Sequence, residues 1–141
     1  MRFLVLHGPN LNLLGERPGD APDQSLKALN VLLRGKVRAL GGTVRILQTN
    51  HEGALLDALH RHRGWMDAVV INPGALAHSS YALRDAIAAV GKPTYEVHLG
   101  DPRKRDAFRR TFVLGDVCAG RVLGLGYGSY LQALEALARS R

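Results

Sequence analysis

The sequence predicts an α/β fold in which a parallel sheet carries helices on both faces, and three observations point there. Short runs rich in β-branched residues alternate along the chain with segments of helical periodicity. The run Val69 to Ile71 is apolar without alternation, as a strand covered on both faces must be. It stops abruptly on Asn72-Pro73-Gly74, where proline removes a backbone donor and glycine permits a positive φ. Strands alternating with helices pair in parallel through right-handed crossovers, and five of them suit the flavodoxin-like order 2-1-3-4-5 in a three-layer sandwich. The 141 residues, 46% of them hydrophobic, suffice for a single domain spanning 1–141 with a substantial core.

In chain order, Phe3 to Leu6 reads as the first strand, and the long loop from Gly8 to Asp23 follows it. Residues 15–24 of that loop suit a mobile lid, because unstructured connections of such length are usually functional. An amphipathic helix runs from about Ser25 to Leu40 and ends on Gly41-Gly42. Thr43 to Leu47 is a second strand, Glu52 to Arg61 a helix, and Ala68 to Ile71 the third strand. The hydroxyls of Ser79 and Ser80 are placed to cap a helix over Tyr81 to Val90. Thr94 to Leu99 is the fourth strand, Arg121 to Leu125 the fifth, and Tyr130 to Ala138 a closing helix. Gly124 to Gly128, Gly-Leu-Gly-Tyr-Gly, follows the last strand rather than the first, so it is a poor match to a dinucleotide loop.

Composition narrows the function. The formal charge is +7, a surplus that draws anions, whether nucleic acid or small substrates. No aromatic residues interleave the basic cluster Arg103, Lys104, Arg105, Arg109 and Arg110, and no groove-reading motif is present, so the reading assigns no nucleic-acid partner. The apolar run at the N-terminus is too short for a signal peptide and none reaches membrane-spanning length, which points to a cytoplasmic protein with no membrane partner. The single cysteine, Cys118, sits among small residues and reads as a structural thiol.

In an open parallel sheet, ligands bind outside the carboxyl ends of the strands, so candidate site residues are those the strands deliver there. The first strand delivers Asn10, the third Asn72, and the fourth Glu96 and His98. Glu96 and His98 are two apart in a strand and share a face, so the carboxylate can hold the imidazole in one tautomer and suit it to act as a general acid. A satisfied polar cluster at a strand end is the alternative. The backbone N–H groups of Leu99 and Gly100, with Arg105 and Arg109 at i, i+4 on a short helix, offer donors and positive charge to a carboxylate or phosphate. Asp85 lies seven residues after His78, two turns along the same helix face, and is either a site residue or a surface acid pairing with Arg84 or Lys92.

Four segments, His-Gly-Pro-Asn-Leu-Asn-Leu-Leu-Gly (7–15), Gln-Thr-Asn-His-Glu-Gly (48–53), Ile-Asn-Pro-Gly-Ala-Leu-Ala-His-Ser-Ser (71–80) and Tyr-Glu-Val-His-Leu (95–99), together with Arg105 and Phe108-Arg109-Arg110, resemble the type II 3-dehydroquinate dehydratases. The match is collinear over nearly the whole chain. It implies a flavodoxin-like enzyme without metal or organic cofactor, a homo-oligomer of four trimers, that dehydrates 3-dehydroquinate to 3-dehydroshikimate in the shikimate pathway or in quinate breakdown. The implied mechanism is anti elimination through an enolate. His98, oriented by Glu96, would protonate the departing hydroxyl, and Asn10 would hold the contact that stabilises the enolate. Arg17 would be the lid arginine. Asn72, His78, the amides of Leu99 and Gly100, and Arg109 would grip the substrate, and Asp85 would enter from a neighbouring subunit.

The sequence departs from the family pattern in the lid. Family members carry a tyrosine a few residues after the lid arginine, whereas Arg17 is followed by Pro-Gly-Asp-Ala-Pro-Asp-Gln-Ser. Asp20, Asp23 and Tyr81 are candidates for a substitute base. Gly100 also stands where serine is usual. These departures leave open a noncatalytic relative that binds a cyclic hydroxy acid as sensor or assembly partner.

Overall fold

A computed structural model describes residues 1–141. Five strands, β1 (Arg2–His7), β2 (Thr43–Gln48), β3 (Ala68–Asn72), β4 (Thr94–His98) and β5 (Gly120–Leu123), form one sheet in the order β2-β1-β3-β4-β5. All four pairings are parallel, and the register sets His7 beside Asn72. The expected topology is the observed one.

The alternation of side chains along each strand divides the core in two. Phe3, Val5, Val70 and Val97 face α1 (Leu26–Ala39) and α4 (Gly128–Arg139), burying Leu29, Leu33, Tyr130 and Leu134. Leu4, Leu6, Val69 and Ile71 face α2 (Glu52–His62) and α3 (Tyr81–Val90), burying Leu55, Leu59, Leu83 and Ile87. Every residue of β3 is buried, which explains its unbroken apolar run. The edge strand β2 instead alternates exposed and half-buried residues.

Helix ends follow local chemistry. Ser25 Oγ accepts from Ala28 N at 3.1 Å and Ser80 Oγ from Leu83 N at 3.0 Å, each satisfying an orphan donor of the first turn. Gly91 closes α3 with φ 68°.

Three expectations are corrected. Arg105 and Arg109 do not share a helix: the segment is two 3-10 turns, Pro102–Lys104 and Ala107–Arg110, parted by non-helical backbone at Arg105 and Asp106. Asp101 starts the first turn by accepting from Arg103 N at 3.0 Å, a local side-chain bond that competes with continuous helix. His78 and Asp85 do not share a helix face either, because His78 ends its own 3-10 turn, Gly74–His78, before α3 begins at Tyr81. Finally, β5 stops at Leu123, since Gly124 takes φ 77° and turns the chain.

Candidate active site

The carboxyl ends of β1, β3 and β4 open into a cleft of about 750 Å³. Asn10, Arg17, Asn72, His78, His98, Leu99, Gly100 and Arg109 all line it, joined by Asp20, Asp101 and Arg105. The loop after β1 forms one wall. Its buried Leu11 and Leu14 fasten it to the core, while Asn10 takes a left-handed φ of 71°, the one non-glycine residue to do so. Such strain persists where surrounding structure holds it and is common at binding sites.

His98 and Glu96 meet as their spacing predicts. The imidazole Nε2 lies 2.7 Å from Glu96 Oε2, and both residues are buried. With the carboxylate accepting at Nε2, the other ring nitrogen, Nδ1, has no partner within the chain and is left for a ligand. Glu96 Oε1 is buried without a hydrogen-bond partner. His78 stacks on His98 with ring centroids 6.4 Å apart, and Phe112 packs against both rings. The Thr111 carbonyl accepts from His78 Nδ1 at 2.7 Å, which leaves His78 Nε2 as an acceptor.

Donors for an anion gather beside this pair. The carbonyls of Leu99 and Gly100 accept from Gly126 N at 2.9 Å and Gly124 N at 3.0 Å, so the glycine-rich turn braces this segment rather than binding a dinucleotide. The N–H groups of Leu99 and Gly100 make no bond within the chain. Arg109 is partly engaged by Asp106 at 3.3 Å, whereas Arg105 has no acidic partner. Arg103 is drawn away onto Asp101, and its side-chain hydrogen bond pulls that carboxyl down to about 2. The loop wall carries one more ion pair: Arg17 Nε donates to Asp20 Oδ2 at 2.9 Å, and that bond leads the effects lowering the Asp20 pKa.

A sequence profile described as Dehydroquinase class II matches residues 1–138. The chain belongs to that family. A 3-dehydroquinate dehydratase of Dictyoglomus turgidum is 48% identical over 138 residues, covering 97% of this chain and 95% of the relative. One from Roseiflexus castenholzii is 46% identical over 143 residues, covering all of this chain and 90% of its own. Among solved structures, the type II dehydroquinase of Butyrivibrio crossotus superposes with a TM-score of 0.93 at 36% identity, each chain covered to 97%.

Within this class II dehydroquinase, the candidates Asp23, Asp85 and Tyr81 fall outside the cleft lining, and Glu96 is buried behind His98. Asp85 is exposed on α3 and does not line the cleft of its own chain. It pairs with neither Arg84 nor Lys92, for Arg84 binds the carboxylate of Asp116 from two nitrogens. Tyr81 is 67% exposed on the same helix. Cys118 is half-buried, and burial raises its thiol to about 12, so it is no nucleophile. No helix is long and apolar enough to cross a membrane, and no group of three His, Cys, Asp or Glu is gathered as metal ligands would be.

Sequence reasoning missed the cleft's floor. Below Asn72 lie the fully buried His7 and Tyr130 with the half-buried Asn30: His7 contacts Tyr130 Oη through Nδ1 and Asn30 Oδ1 through Nε2, both at 2.9 Å. Asn72 Oδ1 accepts from Gly74 N at 3.1 Å, and its amide also neighbours the Tyr130 phenol. The available signal was polar residues on otherwise apolar faces of β1, α1 and α4.

Proposed function

We propose that this chain dehydrates 3-dehydroquinate to 3-dehydroshikimate, a hydro-lyase reaction run without metal or organic cofactor. One observation carries the reading: a buried imidazole-carboxylate pair opens onto the same cleft as two unused backbone N–H groups and three arginines. A β-hydroxy ketone bearing a carboxylate needs that set. Loss of the proton beside the ketone gives an enolate, and the enolate expels the hydroxyl once an acid protonates it.

His98 is that acid, with Glu96 holding its tautomer. Asn10 stabilises charge at the enolate oxygen, an oxyanion-type role. Asn72, His78, the amides of Leu99 and Gly100, and Arg109 hold the substrate's hydroxyls and carboxylate, and the loop 15–24 with Arg17 closes over it as a lid. Asp85, exposed and outside its own cleft, serves the cleft of a neighbouring copy in a trimer, and four trimers assemble into a dodecamer. The whole of 1–141 acts as a single domain in the cytoplasm.

The test follows absorbance of the conjugated enone on mixing purified protein with 3-dehydroquinate. Turnover is expected, reduced about 10²- to 10⁴-fold by His98→Ala. Protein that neither binds nor converts the compound would sink the proposal, and binding without turnover would make the chain a hydroxy-acid sensor instead.

A further inference from the structure

Elimination through an enolate needs a base as well as an acid, and the cleft offers few groups able to take a proton. No tyrosine lines it: Tyr127 Oη donates to the Ser25 carbonyl at 2.7 Å, and Tyr81 lies outside on α3. Of the two histidines, His98 is committed to Glu96, and His78 stacks against His98 on the same wall. Asp101 has both carboxylate oxygens taken by the Arg103 guanidinium, at 2.9 and 2.8 Å. One group remains.

We propose that the Asp20 carboxylate, on the loop wall of the cleft that His98 also lines, is the base that removes the proton beside the substrate ketone. The inference rests on the dehydratase reading above. Three features of the geometry support it. Asp20 Oδ2 is fixed by Gly15 N at 3.1 Å, Arg17 N at 3.3 Å and Arg17 Nε at 2.9 Å, so the carboxylate is held in place. Oδ1 meets only Arg17 Nη2, at 3.4 Å, and keeps a lone pair free for the incoming proton. Asp20 and His98 both line the one cleft of about 750 Å³, Asp20 from the loop after β1 and His98 from the end of β4. A cleft of that size accepts a substituted six-membered ring in reach of both groups.

The step balances without a further reactant. Asp20 Oδ1 takes the proton, and the C–H electron pair becomes the enolate double bond with charge on the ketone oxygen. The enolate then restores its carbonyl, the new C=C bond forms, and the C–O bond breaks as His98 donates its proton. The products are enone and water, and solvent resets the pair by taking the proton from Asp20 and returning one to His98. Carboxylates are known to enolise ketones where the oxyanion is stabilised, and because Arg17 holds the Asp20 carboxyl below its ordinary range, the step leans on that stabilisation of the enolate oxygen. Arg17 within the loop and the phenol of Tyr127, just before α4, are the titratable groups facing Asp20.

The test is Asp20→Asn in the full chain, read by kcat, by calorimetric affinity for 3-dehydroshikimate, and by solvent deuterium entering the carbon beside the ketone. We expect kcat to fall about 10²- to 10³-fold, with product affinity within about threefold of wild type and partial recovery in Asp20→Glu. In His98→Ala, which cannot expel the hydroxyl efficiently, deuterium still enters the substrate, and adding Asp20→Asn abolishes that exchange. Wild-type-like kcat in Asp20→Asn, exchange persisting in the double variant, or product affinity lost in step with kcat overturns the assignment of the base while the dehydratase reading stands. A wild-type chain without turnover overturns both.

Discussion

His7 ends β1 with no solvent exposure, and its two partners assign its proton. Asn30 Oδ1 can only accept, so Nε2 carries the hydrogen, and the Tyr130 hydroxyl donates to Nδ1. Burial pushes the imidazole from 6.5 down to about 4, against a smaller opposing effect of the Asn30 bond. The native state therefore keeps His7 neutral where the unfolded chain would protonate it. Between about pH 6.5 and 4 the unfolded chain binds the extra proton, so stability is present above that window and is lost as pH falls through it. The full loss is about 3 kcal/mol. Urea unfolding followed from pH 7 to 4.5 will show this decline, and His7→Gln will remove roughly one proton's worth of its slope. Tyr130→Phe will cost about 1–3 kcal/mol at neutral pH by leaving Nδ1 buried without a donor. The network also supports Asn72 above it, so the same change will weaken product binding.

At the scale of elements, the cleft depends on how closely β1 and β3 end together. Gly8 N donates to the Asn72 carbonyl at 2.7 Å, and a Cβ on Gly8 would lie 2.8 Å from the Pro73 oxygen and 2.9 Å from that of Asn72. Backbone oxygens cannot rotate aside, so Gly8→Ala must part the strand ends that carry Asn10 and Asn72. We expect a stability loss of about 1–3 kcal/mol by chemical denaturation, with weakened product affinity. Gly35→Ala on α1, where a Cβ meets nothing, will instead gain about 0.5–1 kcal/mol. These strands were legible because β-branched runs and turn residues report burial and direction, and Glu96-Val97-His98 reveals its paired face through strand alternation alone. The segment 101–110 was not legible as two turns. Its basic residues carry helical spacing, but the Asp101 side chain bonds the backbone locally, and no periodicity records that competition. Nor does a sequence say that Asp20 folds back on Arg17, because that loop's shape is set by Leu11 and Leu14 anchoring in a distant core.

For the whole molecule, the proposed trimer turns on Asp85, a residue that sequence spacing wrongly set on the same face as His78. Asp85 is exposed on α3, beside Tyr81 at 67% exposure, and stands outside its own cleft. If it completes a neighbour's site, acid and carboxylate come from different chains, and defects in the two can complement. Asp85→Ala alone will lower kcat/KM by roughly tenfold or more through lost positioning of substrate, and His98→Ala alone will be nearly inactive. Chains of the two variants, co-refolded in equal amounts, will form mixed trimers. A competent site then needs His98 from an Asp85→Ala chain and Asp85 from a His98→Ala neighbour, which random assembly supplies at about a quarter of the sites. The regained activity, measured alongside light scattering of the same sample, will exceed the sum of the two variants kept apart. Were Asp85 to serve its own chain's cleft, no mixed trimer would hold both groups in one site, and mixing would restore nothing.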